Sequence, residues 1–153
     1  MGRCWLMKSE PDVYSIADLE RDGSTCWEGV RNYQARNLMR EMEIGDRVLF
    51  YHSNAKPPGV VGLARVCRLA YPDHFSWEEG HKYFDPKSTP DSPRWWMVDV
   101  EYVDTLPRMV ALNELKEEPG LENMVVTRRS RLSVQPVTDD EYEIVVRMGG
   151  GRS

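Results

Sequence analysis

The stretch Asp46 to Ser53, D-R-V-L-F-Y-H-S, constrains the fold more than any other part of the chain. Its β-branched and aromatic residues favour an extended backbone, which sends alternate side chains to opposite faces. Val48, Phe50 and His52 then share one face, and Leu49, Tyr51 and Ser53 share the other. Apolar groups stand on both faces, so neither can be left in water and the strand is expected near the centre of a sheet. After the proline-bearing loop Asn54 to Gly59, Val60 to Leu69 reads as the returning strand. Trp95 to Leu106 alternates cleanly: Trp96, Val98, Val100 and Tyr102 are expected toward the core, with Trp95 on the more polar face. Cys4 to Met7, Thr25 to Glu28 and Leu132 to Val134 are shorter extended segments.

Helices are announced by their caps. Ser15 with Asp18 forms one capping-box pattern and Thr138 with Glu141 a second, while Asn32 is a good N-cap for a helix reaching Met42. Short helices are expected near Leu112 to Lys116 and Leu121 to Arg128. Between the strands, Tyr71 to Arg94 is rich in turn residues and reads as a long ordered excursion over the surface. About five or six strands with peripheral helices, in no β-α-β alternation, imply an α+β fold whose mixed sheet curls into a pseudo-barrel. The chain has 153 residues, enough for one core that buries roughly 70% of the unfolded surface. A single domain over residues 1–148 with a flexible tail at 149–153 is expected.

Composition narrows the chemistry. Cys4, Cys26 and Cys67 are an odd number at wide spacings with no C-x-x-C, which reads as reduced thiols in a cytosolic protein. Together with His52, His74 and His81 they match no zinc spacing, and no calcium-loop, Walker or dinucleotide glycine pattern occurs, so no metal or cofactor is expected. No apolar run approaches the ~20 residues that span a bilayer. The net charge of −5 argues against a protein that coats nucleic acid through its phosphates. Arginines nevertheless cluster, at Arg31, Arg36 and Arg40 and again at Arg128, Arg129 and Arg131, which suits a short or single-site anionic ligand.

Trp27 to Asn37, W-E-G-V-R-N-Y-Q-A-R-N, combines rings, guanidiniums and carboxamides with hardly an aliphatic side chain. Those are the groups that hold an unstacked nucleobase: a ring for its face, an amide for its edge, cations for the flanking phosphates. Trp27, Asn32, Arg31 and Arg36 are the candidates. Each has a plainer alternative, since a Trp is most often a core residue and an arginine most often solvated. Glu10 or His52 as a general base would make the chain an enzyme acting on a modified nucleotide, and the Tyr71–Arg94 excursion would suit a docked protein partner.

K-S-E-P at Lys8 to Pro11, the stretch from Trp27, F-Y-H-S-N at Phe50, P-P-G-V-V-G at Pro57, Y-F-D-P-K-S at Tyr83, P-R-W-W-M-V-D-V at Pro93 and R-L-S-V-Q-P-V at Arg131 together resemble the EVE domain family, from about Arg3 to Arg147. The resemblance implies a PUA-like fold, akin to YTH and ASCH domains, and non-catalytic binding of a modified base in DNA or RNA, single-stranded or flipped out, without a cofactor. It implies a pocket where Ser9, Glu10 and Pro11, the segment Trp27 to Tyr33 including Val30, and Tyr51, His52 and Ser53 converge. Trp27 would stack on the base, and Asn32 with Ser9 or Ser53 would read its edge. Pro57, Pro58 and Trp95 would be walls, and Ser133 a contact from the late strand. Lys8, Arg31, Arg36, Arg128, Arg129 and Arg131 would meet the phosphate backbone.

Overall fold

The computed structural model describes residues 3–128 and 131–151. Six strands, β1 (Cys4–Ser9), β2 (Ser24–Cys26), β3 (Arg47–His52), β4 (Gly59–Pro72), β5 (Trp96–Ala111) and β6 (Val134–Val137), form one sheet in the order β2-β5-β4-β3-β1-β6. β1 and β3 run parallel, and the other pairings are antiparallel. The sheet is mixed, as expected, but not closed into a barrel: β2 and β6 remain at opposite ends. Both edges are short, and β6 carries Pro136, features that keep an open sheet from recruiting further strands. The β4–β5 register shifts several times along its length, the kind of irregularity that bends a strand.

β3 is central, as its two apolar faces demand. Val48 and Phe50 pack with Trp5, Met7, Val98 and Val100, and this side is covered by α1 (Ile16–Asp22) and α2 (Tyr33–Glu41) through Leu19, Ala35 and Met39. Leu49 and Tyr51 pack with Leu6, Leu63 and Val110, and this side is covered by α3 (Leu112–Glu117) and α4 (Asp139–Met148) through Leu115, Tyr142 and Val145. The sheet is therefore sandwiched between two sets of short helices. Burying each large apolar side chain contributes about 1.5–3 kcal/mol, which offsets ordering of the chain. Trp5 is wholly buried because its indole N–H donates to Asp46 at 2.9 Å, and that buried carboxylate also accepts the backbone N–H groups of Arg3 and Glu43.

The caps form as the sequence indicates. Ser15 and Asp18 exchange hydrogen bonds at the start of α1, Thr138 and Glu141 do so at α4, and Asn32 Oδ1 accepts from Ala35 N at 2.9 Å at α2. The β5 alternation holds for Val98 and Val100, but the flanking positions differ. Met97 is wholly buried, Trp96 is half-buried beneath the Arg40 guanidinium, and Trp95 lies just before the strand, buried rather than on a polar face. Of the segment expected as a flexible tail, Gly149 to Gly151 hydrogen-bond back to the last turn of α4, and Gly149 O accepts from Arg108 N. No helix is long and apolar enough to cross a membrane among the described residues.

Candidate functional site

Parallel pairing of β1 and β3 brings their carboxyl ends together, with Ser9 opposite His52 and Ser53 N donating to Ser9 O at 3.0 Å. Crevices outside the carboxyl ends of parallel strands are where α/β sheets hold ligands. Here the chain opens a cleft of about 760 Å³, within the usual range for a small-molecule or base site. Of the predicted residues, Lys8, Ser9, Glu10, Trp27, Val30, Arg31, Ser53, Arg131 and Ser133 line it. Its other walls are Val13, Tyr14, Thr25, Cys26, Glu28, Gly29, Asn54, Lys82 and Tyr83.

Trp27 is 7% exposed and meets Phe50 edge-on at 5.5 Å, so it belongs to the core and to the cleft at once. Tyr83 reaches the cleft from the long loop between β4 and β5, and it does so over Gly29. A Cβ at Gly29, whose φ is +80°, would lie 2.5 Å from the Tyr83 ring, so both the backbone angle and the close approach require glycine. Tyr14 completes the aromatic lining. Its hydroxyl donates to Asp22 at 2.9 Å, and burial with that acceptor pushes the phenol up to about 12. Ser9 Oγ donates to Tyr14 O at 2.6 Å, and Asn54 Nδ2 to Glu10 Oε1 at 2.8 Å.

Several predicted residues make contacts within the scaffold, most of them outside the lining. Asn32 is exposed, outside the cleft lining, with its carboxamide oxygen capping α2. Tyr33 stacks on Trp95 at 5.0 Å, away from the lining, and Trp95 donates its indole N–H to Asp85 at 2.6 Å. Arg36 packs over Tyr33 and donates to Arg94 O. Arg31 lines the cleft, but its guanidinium is occupied by buried Asp73 at 3.0 Å and by Tyr83 O at 2.7 Å. These contacts fasten the long loop to α2, and that is what sets Tyr83 against Gly29.

His52 Nε2 accepts from Ile16 N at 3.2 Å, and burial lowers its pKa, so the ring is committed as an acceptor to α1 rather than poised as a base. Tyr51 packs in the core on the other side of the sheet. Pro11 is half-buried beside the cleft but outside its lining. Pro58 is half-buried and Pro57 exposed; Pro58 O accepts from Leu112 N, so this pair anchors the entry to α3. Arg128 is exposed and donates to Asn123 Oδ1, outside the lining, and Arg129 lies outside the described residues. Among the described residues no cluster of ligands could hold a metal.

Electrostatically the cleft is divided. Lys8, Lys82 and Arg131 bring positive charge to it, with burial lowering the Lys8 pKa. Glu28 brings negative charge, and burial raises its carboxyl above the ordinary value, with His81 opposing that shift. The Cys26 thiol is likewise pushed up, chiefly by burial, which leaves it a protonated, unreactive wall.

This arrangement has close counterparts. The profile of the EVE domain matches residues 3–148. The chain belongs to the EVE domain family. Human thymocyte nuclear protein 1 is 44% identical over 94% of this chain and 72% of its own length. A hypothetical protein from Leishmania major superposes with a TM-score of 0.95 at 49% identity, covering 98% of this chain and 96% of that one. The human THYN1 protein, solved in complex with 5-methylcytosine-containing DNA, superposes with a TM-score of 0.91 at 43% identity, covering 99% of each chain. The YTH domain of Zygosaccharomyces rouxii MRB1 has a TM-score of 0.57 at 16% identity, a likeness of PUA-like fold alone.

What sequence reasoning missed in this EVE domain is the contribution of the long loop. Lys82 and Tyr83 are 55 and 56 residues from Trp27 in the chain, and no local pattern connects them. The one available signal was Y-F-D-P-K-S itself, an aromatic start to a motif inside a turn-rich loop. Glu28 is next to Trp27 in the sequence, but a lone acidic residue carries no local signal that separates a cleft wall from a solvated position.

Proposed function

We propose that this chain is a non-catalytic reader that takes a modified base, of the 5-methylcytosine class, out of a nucleic-acid strand and into the cleft at the ends of β1 and β3. The observation that carries the reading is the cleft itself: about 760 Å³, with Trp27, Tyr14 and Tyr83 in its lining and Lys8, Lys82 and Arg131 bringing positive charge. Aromatic faces bury the two sides of an unstacked base, and each such stack is worth about 1–3 kcal/mol. Cations beside them attract the phosphates on either side. The bound 5-methylcytosine DNA of the human THYN1 protein supports the choice of base.

The test is a titration of short single-stranded and duplex oligonucleotides, as DNA and as RNA, each with one central cytosine either plain or 5-methylated, followed by tryptophan fluorescence. Because Trp27 lines the cleft, a base that enters changes its emission. Saturable binding that favours the methylated oligonucleotide by roughly threefold to tenfold is expected, the selectivity one buried methyl provides. Equal binding of both, or none, overturns the reading.

A further inference from the structure

Glu28 has a feature that its neighbours in the cleft lack. Its Oε2 is shielded from solvent and has no hydrogen-bond partner; among the described residues only Gln135 Oε1, outside the cleft lining, shares that condition. The His81 Nε2 atom is 3.8 Å away, beyond hydrogen-bond range. A buried carboxyl oxygen left in this state is costly unless a donor reaches it. The side chain as a whole is 36% exposed and lines the cleft, so a turn of the carboxyl about its last bond brings the covered Oε2 to a donor arriving with a ligand. Three other polar side chains of the cleft are already engaged by the protein: Ser9 with Tyr14 O, Asn54 with Glu10, and Arg31 with Asp73 and Tyr83 O.

Resting on the base-reading cleft above, we propose that Glu28 is the residue that reads the base edge, its carboxyl accepting a hydrogen bond from the exocyclic amino group of a cytosine-type base. A carboxylate accepting from the cytosine N4 amino group is one of the side-chain pairings by which proteins read that base directly. Thymine carries the same ring size and the same 5-methyl group but presents a carbonyl oxygen at position 4. Against Glu28 that places two acceptors face to face, leaving both unpaired. The methyl therefore separates methylated from plain cytosine, and Glu28 separates cytosine from thymine. These are two independent selections made at one site. Burial raises the Glu28 pKa, and a donor that hydrogen-bonds to the carboxylate opposes that shift by favouring the charged, acceptor-only form.

The experiment compares three otherwise identical oligonucleotides whose central base is 5-methylcytosine, cytosine or thymine, against the wild type, Glu28→Gln and Glu28→Asp. Wild type is expected to prefer 5-methylcytosine to thymine by about tenfold or more, the discrimination one well-made edge contact supplies. Glu28→Gln keeps the shape and can turn its amide to donate to the thymine carbonyl, so its preference falls toward one while its preference for 5-methylcytosine over cytosine is unchanged. Glu28→Asp withdraws the carboxyl, so 5-methylcytosine binding weakens without a gain for thymine. Circular dichroism of each variant verifies that the fold is kept. If Glu28→Gln retains the full wild-type preference over thymine while still selecting the methyl, the base reading stands and the role of Glu28 is wrong. If the wild type binds none of the three, the base reading itself fails.

Discussion

His52 shows how one side chain can look catalytic in the sequence and turn out to be a structural acceptor. Its Nε2 accepts the first backbone N–H of α1, and only a neutral ring can do so. Burial lowers its pKa from the ordinary 6.5, so the unfolded chain binds a proton more readily than the folded one. Stability is fully present above about pH 6.5 and is lost as pH falls through that value toward the folded pKa. Glutamine can offer Oε1 to the same N–H and does not titrate. Urea unfolding at about pH 5 and about pH 8 should show a smaller acid loss for His52→Gln than for wild type. His74 and His81 are unchanged between the two proteins, so the difference isolates His52. Identical losses would show that the ring is not held neutral in the fold.

At the scale of elements, the caps and the central strand were legible because their signals are local. Ser15 and Asp18, or Thr138 and Glu141, lie within one turn, and the two-sided apolar pattern of β3 can satisfy itself only inside a sheet. The candidate site was legible in part, for the opposite reason. Ser9, Trp27, Ser53 and Ser133 come together through the β1–β3 register and the late strand, whereas Tyr83 is brought in by Arg31, Asp73 and the Tyr33–Trp95 stack. A residue type also cannot say which of its two uses is taken. Asn32 suits a base edge or a helix start equally well, and in the fold its oxygen is taken by Ala35 N. Asn32→Ala should therefore cost about 1 kcal/mol of stability, with Asn32→Ser or Asn32→Asp recovering most of it. Discrimination between methylated and plain cytosine should be untouched by any of the three. A loss of discrimination at unchanged stability would return Asn32 to the base edge.

For the whole molecule, the decisive quantity is how little of its charge can face a nucleic acid. The net charge is −5, and four cationic side chains line the cleft among the described residues: Lys8, Lys82, Arg131 and the Asp73-bound Arg31. Long-range attraction to a polyanion is therefore weak, and under the proposed function affinity comes from burying a base rather than from displacing counterions. The two sources respond differently to salt. With about three phosphates neutralised, log affinity should fall with log salt at a slope of about −2 on a single strand and near −3 on a duplex. Stacking and the edge contact are short-ranged and stay almost constant over the same range. Selectivity for the methylated base should accordingly persist as total affinity declines, and measuring both oligonucleotides across a series of salt concentrations tests this directly. A much steeper slope, with selectivity vanishing alongside affinity, would mean that a broad phosphate-binding face carries the interaction and that the cleft does not.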